Sequence, residues 1–415
     1  MTWFGIFTAA LVGLKCLSQL CLEWLNVRHL KEHARTVPEW IRGFVDENTY
    51  AKSVDYTLAK GRLHQVELVY DAVILLGVLF SGLLPWALDK ITHRFGTSQW
   101  AMGGFLFSVG ILLAIPELPF AWYAQFKLEE RFGFNTNTQR VWWADRVKGL
   151  LLALLLVYPL LVLILVLTRW TGQFWWIWAW AALMAFQLLM AVLAPVLILP
   201  LFNKLTPLPE GSLRDRLLAL AKRTSFRAGS IQVMDGSKRS RHSNAFFTGF
   251  GRFRKIVLFD TLITQLTEPQ LEAVLAHEIG HYKKAHIPKT LVAAALGSFA
   301  GFYALSWLAS RTWFYTAFGF PPGNFTSALL IFGLLSGAAT FWFSPVAHWW
   351  SRRHEYEADA FAATVMKEPA PLIQALRRLN EKNLSNLTPH PVYSAFYYSH
   401  PTLIERERAL ALCLD

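Results

Sequence analysis

Val147–Thr168 reads VKGLLLALLLVYPLLVLILVLT, a run with one charge, Lys148, beside its start and otherwise almost wholly apolar. As a helix rising 1.5 Å per residue it crosses a hydrocarbon layer of about 30 Å, and the Lys148 stem is long enough to reach the headgroups. Nothing in a soluble domain of ordinary composition requires such a run. The whole chain agrees with it: of 415 residues 54% are hydrophobic, only 16% are charged, and 18 are Trp. Working outward, six further stretches have the length and apolarity of spans, at 3–21, 68–88, 100–126, 174–201, 288–310 and 326–349. Trp86, Trp100, Trp122, Trp170, Trp175 and Trp349 stand near the ends of these runs, where an amphipathic ring favours the headgroup layer. The expected class is a mainly α, seven-span polytopic membrane protein.

The connections are unequal in charge. Segments 22–67, 127–146, 202–287 and the tail after 349 are rich in Lys and Arg, whereas the alternate connections hold only Lys90 and Arg94, then Arg169, then Arg311. The excess of positive charge on cytoplasmic loops therefore predicts an amino terminus outside and a carboxyl terminus in the cytosol. The first span lacks a positive leader and a small-residue cleavage site, so it reads as a retained span. A net charge of +12 spread over juxtamembrane loops points to anionic lipid rather than to nucleic acid, for which there is no motif. Cys16, Cys21 and Cys413 suggest neither a disulfide framework nor a metal-ligand spacing.

Within the long basic segment lies His277-Glu278-Ile279-Gly280-His281, an HExxH motif. On a helix, positions four apart share a face, so both imidazoles can ligate one zinc ion, and Glu278 is the general base toward a water. Thr267-Glu268-Pro269-Gln270 predicts the start of that helix, with Thr267 as N-cap, Gln270 closing a capping box and Pro269 in the tolerant first turn. A catalytic zinc takes a third protein ligand and leaves a position open. Lys284 and Ile287 stand where the extended three-histidine motif needs Gly and His, so a carboxylate is the better third ligand. Glu355 and Asp359 in Ser351-Arg352-Arg353-His354-Glu355-Tyr356-Glu357-Ala358-Asp359 share a helical face, with Glu357 pointing elsewhere. Glu355 is then the ligand and Asp359 the group that orients a ligand imidazole from behind. An exposed charged helix would show the same spacing, but two spans separate His281 from Glu355, which returns the chain to the same side of the membrane.

These residues, with Glu130-Arg131-Phe132-Gly133-Phe134-Asn135, His242-Ser243-Asn244-Ala245-Phe246 and Ser399-His400-Pro401-Thr402-Leu403-Ile404-Glu405-Arg406, occur in an order that resembles the type I CAAX prenyl endopeptidases, integral-membrane zinc metalloproteases. The resemblance covers nearly the whole chain. It implies one zinc per chain on His277, His281 and Glu355, with Glu278 as base and His400 and Arg406 stabilising the oxyanion and bracing the site. It also implies a small β-sheet in a cytosolic, gluzincin-like protease domain, with Asn244 and Ala245 on an edge strand that pairs with the substrate backbone, and helices closed around an intramembrane chamber. On the residues alone, His400 before Pro401 reads equally as a loop histidine and Asn244 as a turn residue. Glu117, between Pro116 and Pro119, fits a chamber wall and a kinked helix end alike.

The expected division is 1–201 for spans one to five with their loops, 202–287 for the protease segment, 288–349 for spans six and seven, and 350–415 for the segment with the third ligand. The expected activity is metal-assisted hydrolysis of peptide bonds, in prenylated C-terminal peptides, at a site facing the cytosol. Short connections favour a bacterial inner membrane, with the endoplasmic reticulum as the eukaryotic counterpart. Two other readings stand beside it: a membrane quality-control endopeptidase indifferent to prenylation, and a non-enzymatic metal-binding transporter or structural protein. Against the last, the chain shows no paired inverted repeat.

Overall fold

Polar residues fix where the long helices begin. The side chains of Thr2, Asp46, Ser98 and Thr138 accept hydrogen bonds from the backbone N–H of Gly5, Thr49, Ala101 and Val141, which opens the helices Trp3–His33, Glu47–Phe80, Gln99–Ala114 and Gln139–Trp170. In this computed structural model, which describes residues 2–34, 37–226, 230–248 and 255–412, seven helical runs are long and apolar enough to cross a membrane. They are Trp3–His33, Glu47–Phe80, Gln99–Glu129, Gln139–Trp170, Gly172–Phe202, His286–Ala309 and Phe325–Met366. The count agrees with the sequence; Cys413 lies outside the described residues.

The second run differs from expectation. Hydropathy places it at 68–88, yet the helix covers Glu47–Phe80 and stops at Ser81, after which Gly82, at φ +75°, starts a separate helix Leu83–Phe95. Residues 47–67 escape a hydropathy reading because they carry Lys52, Asp55, Lys60, Arg62, His64 and Glu67. Much of this charge borders the protein's own interior: Tyr56, Lys60, His64 and Glu67 line a cavity of about 520 Å³ together with Glu23 and His242. Likewise the segment 22–67, read as a cytosolic connection, is mostly helix that prolongs the first two runs. The third run is broken at Ile115–Glu117 by a tight 3₁₀ turn, and Glu117 is exposed on that break.

Two apolar clusters sit at opposite ends of the runs. One gathers Phe4, Leu79, Leu84, Met102, Leu165, Leu305 and Ile331. The other holds Leu217, Leu220, Ile256, Leu258, Leu271, Leu275, Ile279, Ala362 and Leu376, and is the core of a compact region built from the 202–283 segment and the end of the chain. Here a four-stranded sheet has the order β1 (Leu205–Pro207), β2 (Ser230–Met234), β4 (Lys255–Phe259), β3 (Ala245–Thr248). β2 and β4 are parallel and the outer pairs antiparallel. Central β4 buries Ile256, Val257 and Leu258, as a strand covered on both faces must, while β3 is an edge.

Candidate active site

Thr267 opens the helix Glu268–Lys283 with the expected capping box: its N–H donates to Gln270 Oε1 at 3.0 Å, and its hydroxyl accepts from the backbone of the same residue. This helix packs along Ser344–Met366, which continues the seventh run and carries Glu355. Side chains too small to hold the two apart line the contact. Ala276, Ala358 and Ala362 have no exposed surface, and a Cβ on Gly280 would stand 2.9 Å from Ala358 Cα. The glycine inside the motif is therefore a packing residue that sets the distance between the two helices.

That close approach brings the three expected ligands together. His277 Nε2 lies 3.1 Å from His281 Nε2, His281 Nε2 lies 3.2 Å from Glu355 Oε1, and His277 Nε2 lies 3.5 Å from Glu355 Oε2. Ligand atoms about 2.0–2.1 Å from a tetrahedral ion are separated by about 3.3–3.4 Å, so the spacing fits a metal. The donor set fits as well. His277 Nδ1 donates to Asp359 Oδ1 at 2.7 Å, which leaves a lone pair on Nε2, and the buried Glu355 Oε2 accepts no hydrogen bond among the described residues. Electron pairs facing one another in a buried site are stabilised by a cation. The surroundings also favour positive charge at this place: burial lowers the pKa of His277, but the hydrogen bond to Asp359 and the nearby Glu355 carboxylate outweigh burial and raise it to about 9.

Asp359 is 1% exposed and is held by a buried Arg406, whose Nε and Nη2 donate to it at 2.8 and 2.5 Å. Arg406 Nη1 stands 3.9 Å from Glu355 Oε2. Of the two roles that the resemblance implies for Arg406, the geometry favours the brace. His400 differs: its side chain is 64% exposed, and its Nε2 lies 3.4 Å from Glu355 Oε1 at the open side of the site. Glu278, partly buried on the same helix, has its carboxyl pushed above the usual range by burial, against the pull of His277 and His281. A carboxylate so placed binds a proton more readily than one in water.

Asn244 and Ala245 stand at the start of the edge strand. Phe259 N–H donates to Asn244 O at 3.1 Å, so by the alternation of an antiparallel ladder the main chain of Ala245 and Phe247 faces away from β4. Ala245 packs against the cluster that includes Leu275, Ala276 and Ile279, which sets the edge beside the motif helix.

The contacts of several supporting residues lie outside what the sequence predicts. Glu357 reaches His286 Nε2 at 3.0 Å, and His286 Nδ1 lies 2.9 Å from His281 Nδ1. His242 stacks on Phe134 at 4.1 Å and bonds Glu129 Oε2 at 3.1 Å and Asn383 Oδ1 at 3.2 Å, while Tyr56 donates to Glu129. The quoted motif 130–135 thus anchors the approach to β3, through Arg241 N–H to Phe134 O and Thr136 N–H to Arg239 O. No local pattern announces either set, because each joins segments far apart in the chain.

Family profiles described as CAAX prenyl protease N-terminal, five membrane helices, and as peptidase family M48 match residues 26–204 and 207–412. The chain belongs to the M48 peptidases. It is 34% identical to a CAAX prenyl protease 1 homolog of Arabidopsis thaliana, over 97% of each chain. With CAAX prenyl protease 1 of Saccharomyces cerevisiae it shares 35% identity over 94% of this chain and 91% of that one, and with the human homolog 30% over 92% and 90%. The crystal structure of S. mikatae Ste24p superposes with a TM-score of 0.92 at 31% identity, covering 99% of both chains. This M48 chain is therefore a multi-pass integral membrane metallopeptidase, with a peptidase region of helices and a small mixed sheet carried on seven spans.

Proposed function

We propose that the chain is a zinc endopeptidase that cleaves prenylated, CAAX-type C-terminal peptides. The convergence of His277 Nε2, His281 Nε2 and Glu355 within 3.1–3.5 Å of one another carries the metal assignment. Two imidazoles and one carboxylate with a side left open are the donor set of a catalytic zinc. Zinc held there supplies Lewis acidity toward the scissile carbonyl and toward a water.

The chain's own residues do the rest. An extended substrate adds to the open edge of β3, where the main chain of Ala245 and Phe247 faces away from β4 and the Ala245 N–H, held by Asn244 Oδ1 at 2.8 Å, is exchanged onto the substrate. Glu278 takes a proton from the attacking water as its oxygen bonds to the carbonyl carbon, then returns that proton to the amide nitrogen as the C–N bond breaks. His400, exposed beside Glu355, donates to the carbonyl oxygen as it gains charge. Arg406 holds Asp359, and Asp359 holds His277.

The lipid specificity rests on the likeness to proteins named CAAX prenyl protease 1, with the prenyl group placed among the apolar faces of the spans. The basic connections favour a site on the cytosolic side, in contact with anionic lipid and without a nucleic-acid partner. A quenched peptide with and without its prenyl group tests the proposal, using protein in lipid nanodiscs. Cleavage that requires both metal and the lipid supports it; equal cleavage of both peptides indicates a quality-control endopeptidase, and cleavage of neither overturns it.

A further inference from the structure

The helix that carries the motif ends at Lys283, and Ala285 adopts φ +55° and ψ +37°, a left-handed conformation that a residue with a Cβ takes only under constraint. The result of this reversal is specific. The next helix, His286–Ala309, starts at once, and its first side chain returns to the last turn of the motif helix. His286 is 3% exposed and its ring stacks on His354 at 4.0 Å and 9°. Its Nδ1 lies 2.9 Å from His281 Nδ1, and its Nε2 lies 3.0 Å from Glu357 Oε2.

The proton directions follow from one end. A Glu357 carboxylate offers only acceptors, so His286 Nε2 carries the hydrogen and donates. A neutral imidazole that donates at Nε2 accepts at Nδ1, so His281 Nδ1 donates to it. His281 then presents a lone pair at Nε2, toward His277 and Glu355. On the reading of His281 as a metal ligand, we propose that His286 is the positioning residue for this imidazole, fixing its ring and tautomer, with Glu357 fixing His286 in turn. The two ligand histidines are thereby braced by different devices. His277 has the buried Asp359–Arg406 pair, and His281 has a second histidine backed by a half-exposed carboxylate.

Four full-length variants in nanodiscs test this. His286→Asn places an oxygen where Nδ1 stands and so keeps the acceptor; His286→Phe keeps the ring on His354 and removes the acceptor. Metal affinity is read by competition with a chelator, and the ligand field by the visible spectrum of cobalt(II) added in place of zinc. Loss of an outer hydrogen bond of this kind lowers metal affinity about 10–100-fold. The expected result is that loss in His286→Phe with a changed cobalt spectrum, and near wild-type affinity and spectrum in His286→Asn. Glu357→Leu, at a site exposed enough to tolerate it, shows a smaller loss that Glu357→Gln restores. Affinity that follows ring volume, with Phe retaining metal and Asn losing it, overturns the role of His286, as does an equal response of both. Wild-type protein that takes up neither metal overturns the underlying site reading instead, which separates the two failures.

Discussion

Two regions of this molecule are built on opposite principles. The seam between the HExxH helix and the Glu355 helix is closed by Ala276, Ala358 and Ala362 with no exposed surface, and Gly280 lies so close to Ala358 that a Cβ does not fit. The spans that carry the seam bury only 6–28% of their most apolar windows inside the protein, and side chains such as Leu155 and Leu151 are 69% and 59% exposed. Interiors pack densely where position matters, and a metal site needs its ligands held within fractions of an ångström. A span facing lipid on one side and a polar interior on the other has no such demand. On the proposed reading the chemistry resides in a tightly packed seam mounted on a sparsely packed bundle, and substitutions in the two should differ sharply.

The largest effect is expected at the charge pair behind the seam. Arg406→Leu strands Asp359 buried without its partner, a change that costs about 3–5 kcal/mol. Thermal unfolding of the protein in detergent should register it, with weakened metal retention; a variant with unchanged stability and metal content would show that the seam is not held from there. Next comes Gly280→Ala, where one methyl against the Ala358 backbone should cost about 1–3 kcal/mol and displace Glu355 from the histidines. Metal content per chain is the measurement, and full occupancy would dissolve the packing role of this glycine. A smaller effect is expected where the seam meets the substrate strand. His242→Phe keeps the stack on Phe134 but loses Glu129 and Asn383, which should raise KM by about 5–30-fold, or about 1–2 kcal/mol, at unchanged metal content. An equal fall in metal content would place His242 in the metal site rather than at the strand. Last, Leu155→Val in the bundle should change stability by about 0.5 kcal/mol or less, and a larger change would mean that the spans are packed as tightly as the seam.

What was legible in the sequence follows the same division. Short-range signals were clear: the capping box at Thr267, the four-residue spacing of His277 and His281, the shared face of Glu355 and Asp359, and seven apolar runs. The parity of spans between His281 and Glu355 even placed Glu355 on the side of the two histidines, beside which it stands. Contacts that no helical or strand period links were not legible. His286 sits five residues beyond His281, outside the helix and past a left-handed residue, where helical periodicity predicts nothing. Tyr56, Glu129 and His242 meet from three distant segments. Residues 47–67 were hidden for another reason: a helix lining a polar interior carries charge, so hydropathy reads it as a loop.

Glu278→Gln bears most directly on the central claim, that this seam holds a metal for a carboxylate base to work beside. Metal per chain and cleavage of the prenylated peptide are measured on one preparation. The expected outcome is near-stoichiometric metal with cleavage reduced about 10²–10⁴-fold, the contribution of a positioned general base. Undiminished cleavage by the metal-loaded variant would contradict it.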